Sequence, residues 1–204
     1  MSVEWMVIRG SGIVAFAALS AATIWGLLVS SKLLGRLVKA KPLTWFHESL
    51  GIAALLSTVV HVVVLSIHDY LDFTWAEILI PGVSDWRRGA VALGVVALYG
   101  LAIVVGSFYV KKYIGQKAWR TIHFASLGVF LAALLHGISA GTDTASPMMI
   151  GLYLGSAAVV AALVAMRLST SREEPRRSSG TITGASPGSR ANSPESKGMP
   201  ALDR

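Results

Sequence analysis

The chain has 204 residues, of which 53% are hydrophobic and 14% charged, with a formal net charge of +7. So apolar a composition excludes an ordinary soluble domain and points to a bilayer. There is no cysteine, which excludes disulfides, iron–sulfur clusters and thiolate-held cofactors. The basic residues sit in short segments between apolar runs and in a polar tail, a pattern that orients helices and does not call for nucleic acid.

A hydrocarbon core about 30 Å thick takes about 20 apolar residues of helix. Runs of that kind are predicted over 11–31, 44–67, 89–110, 118–140 and 147–166. None shows the alternation of a β-strand, so continuous helices are the reading that satisfies the backbone in lipid. The run after Arg9 is long for a signal-peptide core and is followed by a basic segment, so it is read as the first span. The expected fold is an all-α integral membrane bundle of about five transmembrane helices over residues 1–168. Residues 169–204, rich in Ser, Gly, Pro and Arg, are expected to form a disordered cytoplasmic tail. Small residues in the first span (Gly12, Ala15, Ala18, Ala21, Ala22) and the fifth (Gly151, Gly155, Ala158, Ala162) are read as close helix contacts rather than chemistry.

Lys32, Arg36, Lys39 and Lys41 follow the first span, and Lys111, Lys112 and Lys117 follow the third. Both segments are expected to face the cytoplasm. Asp69, Asp72, Glu77 and Asp85 lie between the second and third spans, and Asp143 follows the fourth. These face outward in the same scheme, which puts the amino terminus outside and the carboxy terminus inside a cell membrane. Arg167, Arg172, Arg176 and Arg177 agree with it; Arg87 and Arg88 run against it.

Four histidines fall within spans: His47 and His61 on the second, His123 and His136 on the fourth. A histidine in hydrocarbon needs a partner, which makes each a functional candidate. The two spans cross in the same direction, so depth can be compared. His47 and His123 lie near one end, His61 and His136 near the other. Fourteen residues of helix rise about 21 Å, so His47 and His61 cannot share one metal ion. Across helices, a histidine at matched depth on either side of an iron gives six-coordinate haem, and two levels imply two haem b groups. The thirteen residues from His123 to His136 leave the two on different faces of an ideal helix. Gly128, local tightening, or haems on different sides of the span would each reconcile this.

The stretch His47-Glu48-Ser49-Leu50-Gly51 with His61, and the stretch Trp119-Arg120-Thr121-Ile122-His123 with His136, resemble the ferric reductase-like transmembrane domain. That family is shared by ferric reductases, NADPH oxidases and the haem subunit of a bacterial methionine sulfoxide reductase system. The resemblance runs from about Arg9 to Met166 and implies a bis-histidine cytochrome b with first paired to first and second to second. It departs from the family in showing five spans where six are common, and in having no flavin or nicotinamide domain and no GxGxxG. The resemblance therefore implies an oxidoreductase component that carries electrons across the membrane. A separate flavoprotein reductase or a quinol would be the donor, and ferric iron, oxygen or a periplasmic protein the outer acceptor. The alternative is a cofactor-free membrane adaptor or small transporter, with the histidines as polar contacts between helices.

Around the site, Arg120 is a candidate partner for haem propionates, with Lys41 and Lys117 below it. Glu48 is a candidate to orient His47 or a cytoplasmic donor. His68 reads as an interfacial histidine with a lesser claim to an external metal, and Trp45, Trp75 and Trp86 read as interfacial aromatics.

Overall fold

A computed structural model of the chain describes residues 3–31, 40–68 and 73–177. Its elements in chain order are α1 (Val3–Ser30), α2 (Ala40–Ser66), α3 (Trp75–Leu79), α4 (Arg88–Tyr109), α5 (Lys111–Phe124), α6 (Ser126–Ala140) and α7 (Pro147–Arg177). Among the described residues, five segments are long and apolar enough to cross a membrane: α1, Leu43–Ser66 of α2, α4, Lys111–Ala140 made of α5 and α6, and Pro147–Ser169 of α7. The chain is an all-α membrane bundle. Val14, Leu56, Ile103, Leu131 and Leu154 are exposed on it, as residues facing lipid are.

The chain divides into Met1–Leu168, which is the bundle, and Ser169–Arg204. Helix α7 is continuous through Arg177; the rest of the expected tail, residues 178–204, lies outside the described residues. So do Lys32, Arg36, Lys39, Asp69 and Asp72, while Lys41 falls in the first turn of α2.

Helix α1 packs along α2, and α4 along α6, with further contact of α1 to α6 and α2 to α4. At the centre of these four helices Leu19, Ala54, Leu101 and Val129 form one buried cluster. Each sits about seven residues, or about 10 Å of helix, from a histidine or from the residue facing one. A second cluster joins α7 to the bundle: Met149, Tyr153 and Val160 pack with Phe16, Phe130 and Leu134. The small residues of α7 do not make this contact. Gly151, Gly155, Ala158 and Ala162 are exposed, because the aromatic and branched residues on the opposite face bury more apolar area.

Two features of the third and fourth spans depart from simple helices. Helix α4 starts at Arg87, which is left-handed (φ 41°, ψ 50°). Its guanidinium donates to the Ser139 carbonyl and lies 5.1 Å from the Trp86 ring centre, contacts that hold a conformation costing about 1 kcal/mol or more. The fourth span is broken twice. Gly115 (φ 81°, ψ 161°) adopts a conformation open to glycine, so Lys111–Ile114 turn back from the helix that follows. Ala125 then separates α5 from α6, its N–H donating to the carbonyl of Ile122 rather than one residue further back.

The segment expected as a plain loop between the second and third spans contains α3. Thr74 caps it: its hydroxyl accepts from the Glu77 N–H at 3.3 Å, and its own N–H donates to the Glu77 carboxylate at 2.9 Å. Tyr99 of α4 donates to the Leu79 carbonyl at 2.8 Å and ties α3 to the bundle. The Thr74 backbone and hydroxyl hold the Glu77 carboxyl below the usual carboxylate range. The cap therefore stands fully formed above about pH 4.3, and is lost as pH falls through the lowered value. Thr74→Ala and Glu77→Ala are each expected to speed amide exchange across Trp75–Leu79 at neutral pH and to leave the spans unchanged; equal exchange in both variants and the parent would refute the cap.

Candidate functional site

His61 on α2 and His136 on α6 line one cavity, together with residues of α1, α4 and the start of α7. The empty space is about 1530 Å³ with its open mouth included, and its walls are mostly apolar. Both rings are held alike. His61 Nδ1 lies 2.8 Å from the Ile8 carbonyl oxygen, and His136 Nδ1 lies 2.8 Å from the Ala90 carbonyl oxygen. A carbonyl only accepts, so each Nδ1 carries the proton and donates it. The neutral ring then keeps Nε2 as its lone-pair nitrogen, the arrangement that fixes a metal-binding imidazole.

Those carbonyls lie inside helices and already accept from the N–H four residues on. They reach a second donor because the residue four positions on is glycine in both cases: Gly12 after Ile8, Gly94 after Ala90. A Cβ at Gly12 would stand 3.1 Å from His61 Nδ1, and one at Gly94 would stand 2.7 Å from both Nδ1 and Cε1 of His136. The missing side chain is the notch into which the ring fits.

At the other level His47 and His123 face each other with ring centres 5.7 Å apart and planes at 74°. A Cβ at Gly26 would lie 3.0 Å from His47 Cε1. The backbone group His47 interacts with is again four residues earlier, at Ala22, although the buried His47 Nδ1 completes no hydrogen bond with any described residue. His123 stacks on Trp119, one turn earlier on α5, with centres 5.0 Å apart and planes at 23°. The turn made at Gly115 brings Lys111 Nζ to 4.0 Å from the centre of the Trp119 ring, a cation–π contact.

The four sequence-predicted histidines thus form two pairs, first with first across α2 and α5, second with second across α2 and α6. The break at Ala125 lies between His123 and His136, so their thirteen-residue spacing does not run along one helix. Gly128 sits inside α6 and makes no such break. Among the described residues no three of His, Cys, Asp or Glu converge as a metal site. A bare ion has no closed protein cage here. A pair of imidazoles suits an ion that arrives with its other ligands already in place.

Arg120 is exposed on α5, three residues before His123. Glu48 is half-buried and accepts from the Tyr109 hydroxyl at 3.3 Å, a contact with α4 rather than with His47. His68 is buried, with its ring 5.8 Å from that of Trp5; Trp45, Trp75 and Trp86 are exposed, as interfacial aromatics are. The sequence reading missed the part played by glycine. Gly12 and Gly26 are fourteen residues apart, as are His47 and His61. On two antiparallel helices that equality presents a glycine to a histidine at both levels, and it is visible in the sequence. Also missed was the pair Arg9 and Asp143, in which Arg9 Nε donates to Asp143 Oδ2 at 2.6 Å and Nη2 donates to Oδ1. Compared with family models, with curated proteins and with solved structures, the chain matches none.

Proposed function

We propose that the chain is a transmembrane electron carrier that holds two haem b groups, one between His47 and His123 and one between His61 and His136. The observation that carries this reading is the shared fixation of His61 and His136, each donating from Nδ1 to a helix carbonyl across a glycine notch. Each bond leaves the Nε2 lone pair on a ring that lines the shared cavity, which is what a metal-binding imidazole requires. The residues fit the group. An imidazole nitrogen binds a metal at about 2 Å, so two rings on opposite sides of one ion have centres several ångströms apart, as His47 and His123 do. His47 with His123 and His61 with His136 would hold the haems, which when bound would supply one-electron exchange. The protein fixes the ring tautomer, supplies a low-dielectric wall and keeps water from the bundle's centre with the Leu19 cluster.

The charge pattern supports an orientation for this reading. Lys111, Lys112 and Lys117 belong to the His47 end, which the reading puts at the cytoplasm. At the other end Arg88 pairs with Asp85 at 3.3 Å and Arg9 with Asp143, while Arg87 donates to the neutral Ser139 carbonyl. The Asp85 carboxylate offsets Arg88, whereas the charge of Arg87 still runs against the pattern. In this reading a separate flavoprotein or a quinol is the donor at the His47 end. Ferric iron, oxygen or a periplasmic protein is the acceptor at the His61 end, across a cell membrane.

The test is an optical spectrum of the detergent-purified protein, oxidised and then reduced with dithionite, with haem measured per chain. Two low-spin b-type centres are expected. A colourless protein after expression with ample haem would overturn the reading in favour of a cofactor-free adaptor or transporter.

A further inference from the structure

Arg9 and Asp143 form a bidentate ion pair in the wall of the cavity that His61 and His136 line. The two side chains retain 28% and 25% of their exposure, so both charges are largely withdrawn from solvent. Bringing such a pair into an apolar wall costs about as much as the mutual attraction returns, and its presence there calls for a use. On α1, Arg9 lies next to Ile8, whose carbonyl holds the His61 ring, and about one turn from Gly12, which gives that ring its space. Arg9 thus belongs to the same face of α1 as the notch, displaced about 5 Å along the axis toward the helix's amino-terminal end.

We infer that Arg9 is a binding contact for a carboxylate of the haem at the His61 and His136 level, with Asp143 fixing its guanidinium and offsetting its charge. This rests on the haem reading above. It assigns the cation of this level to α1, whereas Arg120, the sequence candidate for a propionate partner, lies on α5 beside His123 at the other level.

The competing account is a staple, in which the pair only ties α1 to the segment after α6. The two accounts differ in which partner holds the haem: a staple is broken alike by Arg9→Gln and by Asp143→Asn, whereas a contact is lost in Arg9→Gln and kept in Asp143→Asn. A positive charge beside the centre favours its reduced form and a negative charge its oxidised form. Arg9→Gln is therefore expected to lower the midpoint potential of one centre and Asp143→Asn to raise that of the same centre. A tenfold change in the one-electron equilibrium corresponds to about 59 mV. The other centre stays where it was in both variants. Arg9→Lys keeps the charge without the fork; it is expected to hold both haems with potentials near the parent's, so that loss of one haem in Arg9→Gln alone also supports the contact. Potentials of both centres unmoved by Arg9→Gln, or shifted the same way by Arg9→Gln and Asp143→Asn, with two haems still bound, would overturn the assignment of Arg9 alone. A parent protein that binds no haem overturns the electron-carrier reading and this contact with it.

Discussion

Replacing His61 with alanine is expected to remove one haem of two and leave the other with an unchanged low-spin spectrum. His136→Ala should remove the same one, so the double variant His61→Ala with His136→Ala should look like either single variant. His47→Ala and His123→Ala should form a second non-additive pair. The decisive combination crosses the levels: His61→Ala with His123→Ala is expected to leave a protein without haem. Haem content and the reduced-minus-oxidised spectrum read all of these directly. If the crossed double variant keeps one full haem, the pairing of His47 with His123 and His61 with His136 is wrong. The effect is large because one imidazole cannot replace the other across a level. Each is held to its own helix neighbour, His61 by α1 and His136 by α4.

Gly94→Ala is expected to disrupt the His61 and His136 level while leaving every histidine in place. The new Cβ would sit 2.7 Å from two atoms of the His136 ring, closer than van der Waals contact permits, and both are part of a ring held by its bond to Ala90. The ring must leave the carbonyl or the helices must part, an overpacking cost of about 1–3 kcal/mol. The haem between His61 and His136 should be lost or become high-spin. Gly12→Ala and Gly26→Ala, where the approaches are 3.1 Å and 3.0 Å, should give the same change in weaker form at their own levels. Gly106→Ala and Gly151→Ala, which meet nothing within 4 Å, serve as controls and should leave both spectra intact. A Gly94→Ala protein with two unperturbed haems would show that the notch does not position His136.

The five spans were legible because a spanning helix needs about 20 apolar residues in a row, and each run supplies them. The histidine pairs were legible because depth along a helix is counted in residues. Side-to-side geometry was harder. Ala125, the residue at the break in the fourth span, is an ordinary helix former, and its N–H turns to Ile122 only in the folded context. The conflict in the thirteen-residue spacing was thus real evidence of a break, though its position was not readable. Helix α3 is short and amid polar residues, so hydropathy passes over it, yet Thr74 three residues before Glu77 is a readable capping signal. The small residues mislead in both directions. Those of α7 look like a packing stripe and face outward, while Gly12, read as packing, makes room for His61. Hydropathy records what a residue avoids and leaves open which neighbour it faces.

The layer of Leu19, Ala54, Leu101 and Val129 has a consequence for ions. These four side chains offer neither donor nor acceptor, and they lie midway between the two histidine levels. Electron tunnelling needs no atoms to move through such a septum, whereas proton transfer needs an unbroken relay of hydrogen-bonding groups or water. On the proposed reading the bundle is a conductor with a proton-tight middle. Any proton consumed where electrons emerge must be drawn from that same side, so each turnover carries uncompensated negative charge outward and runs down an inside-negative voltage.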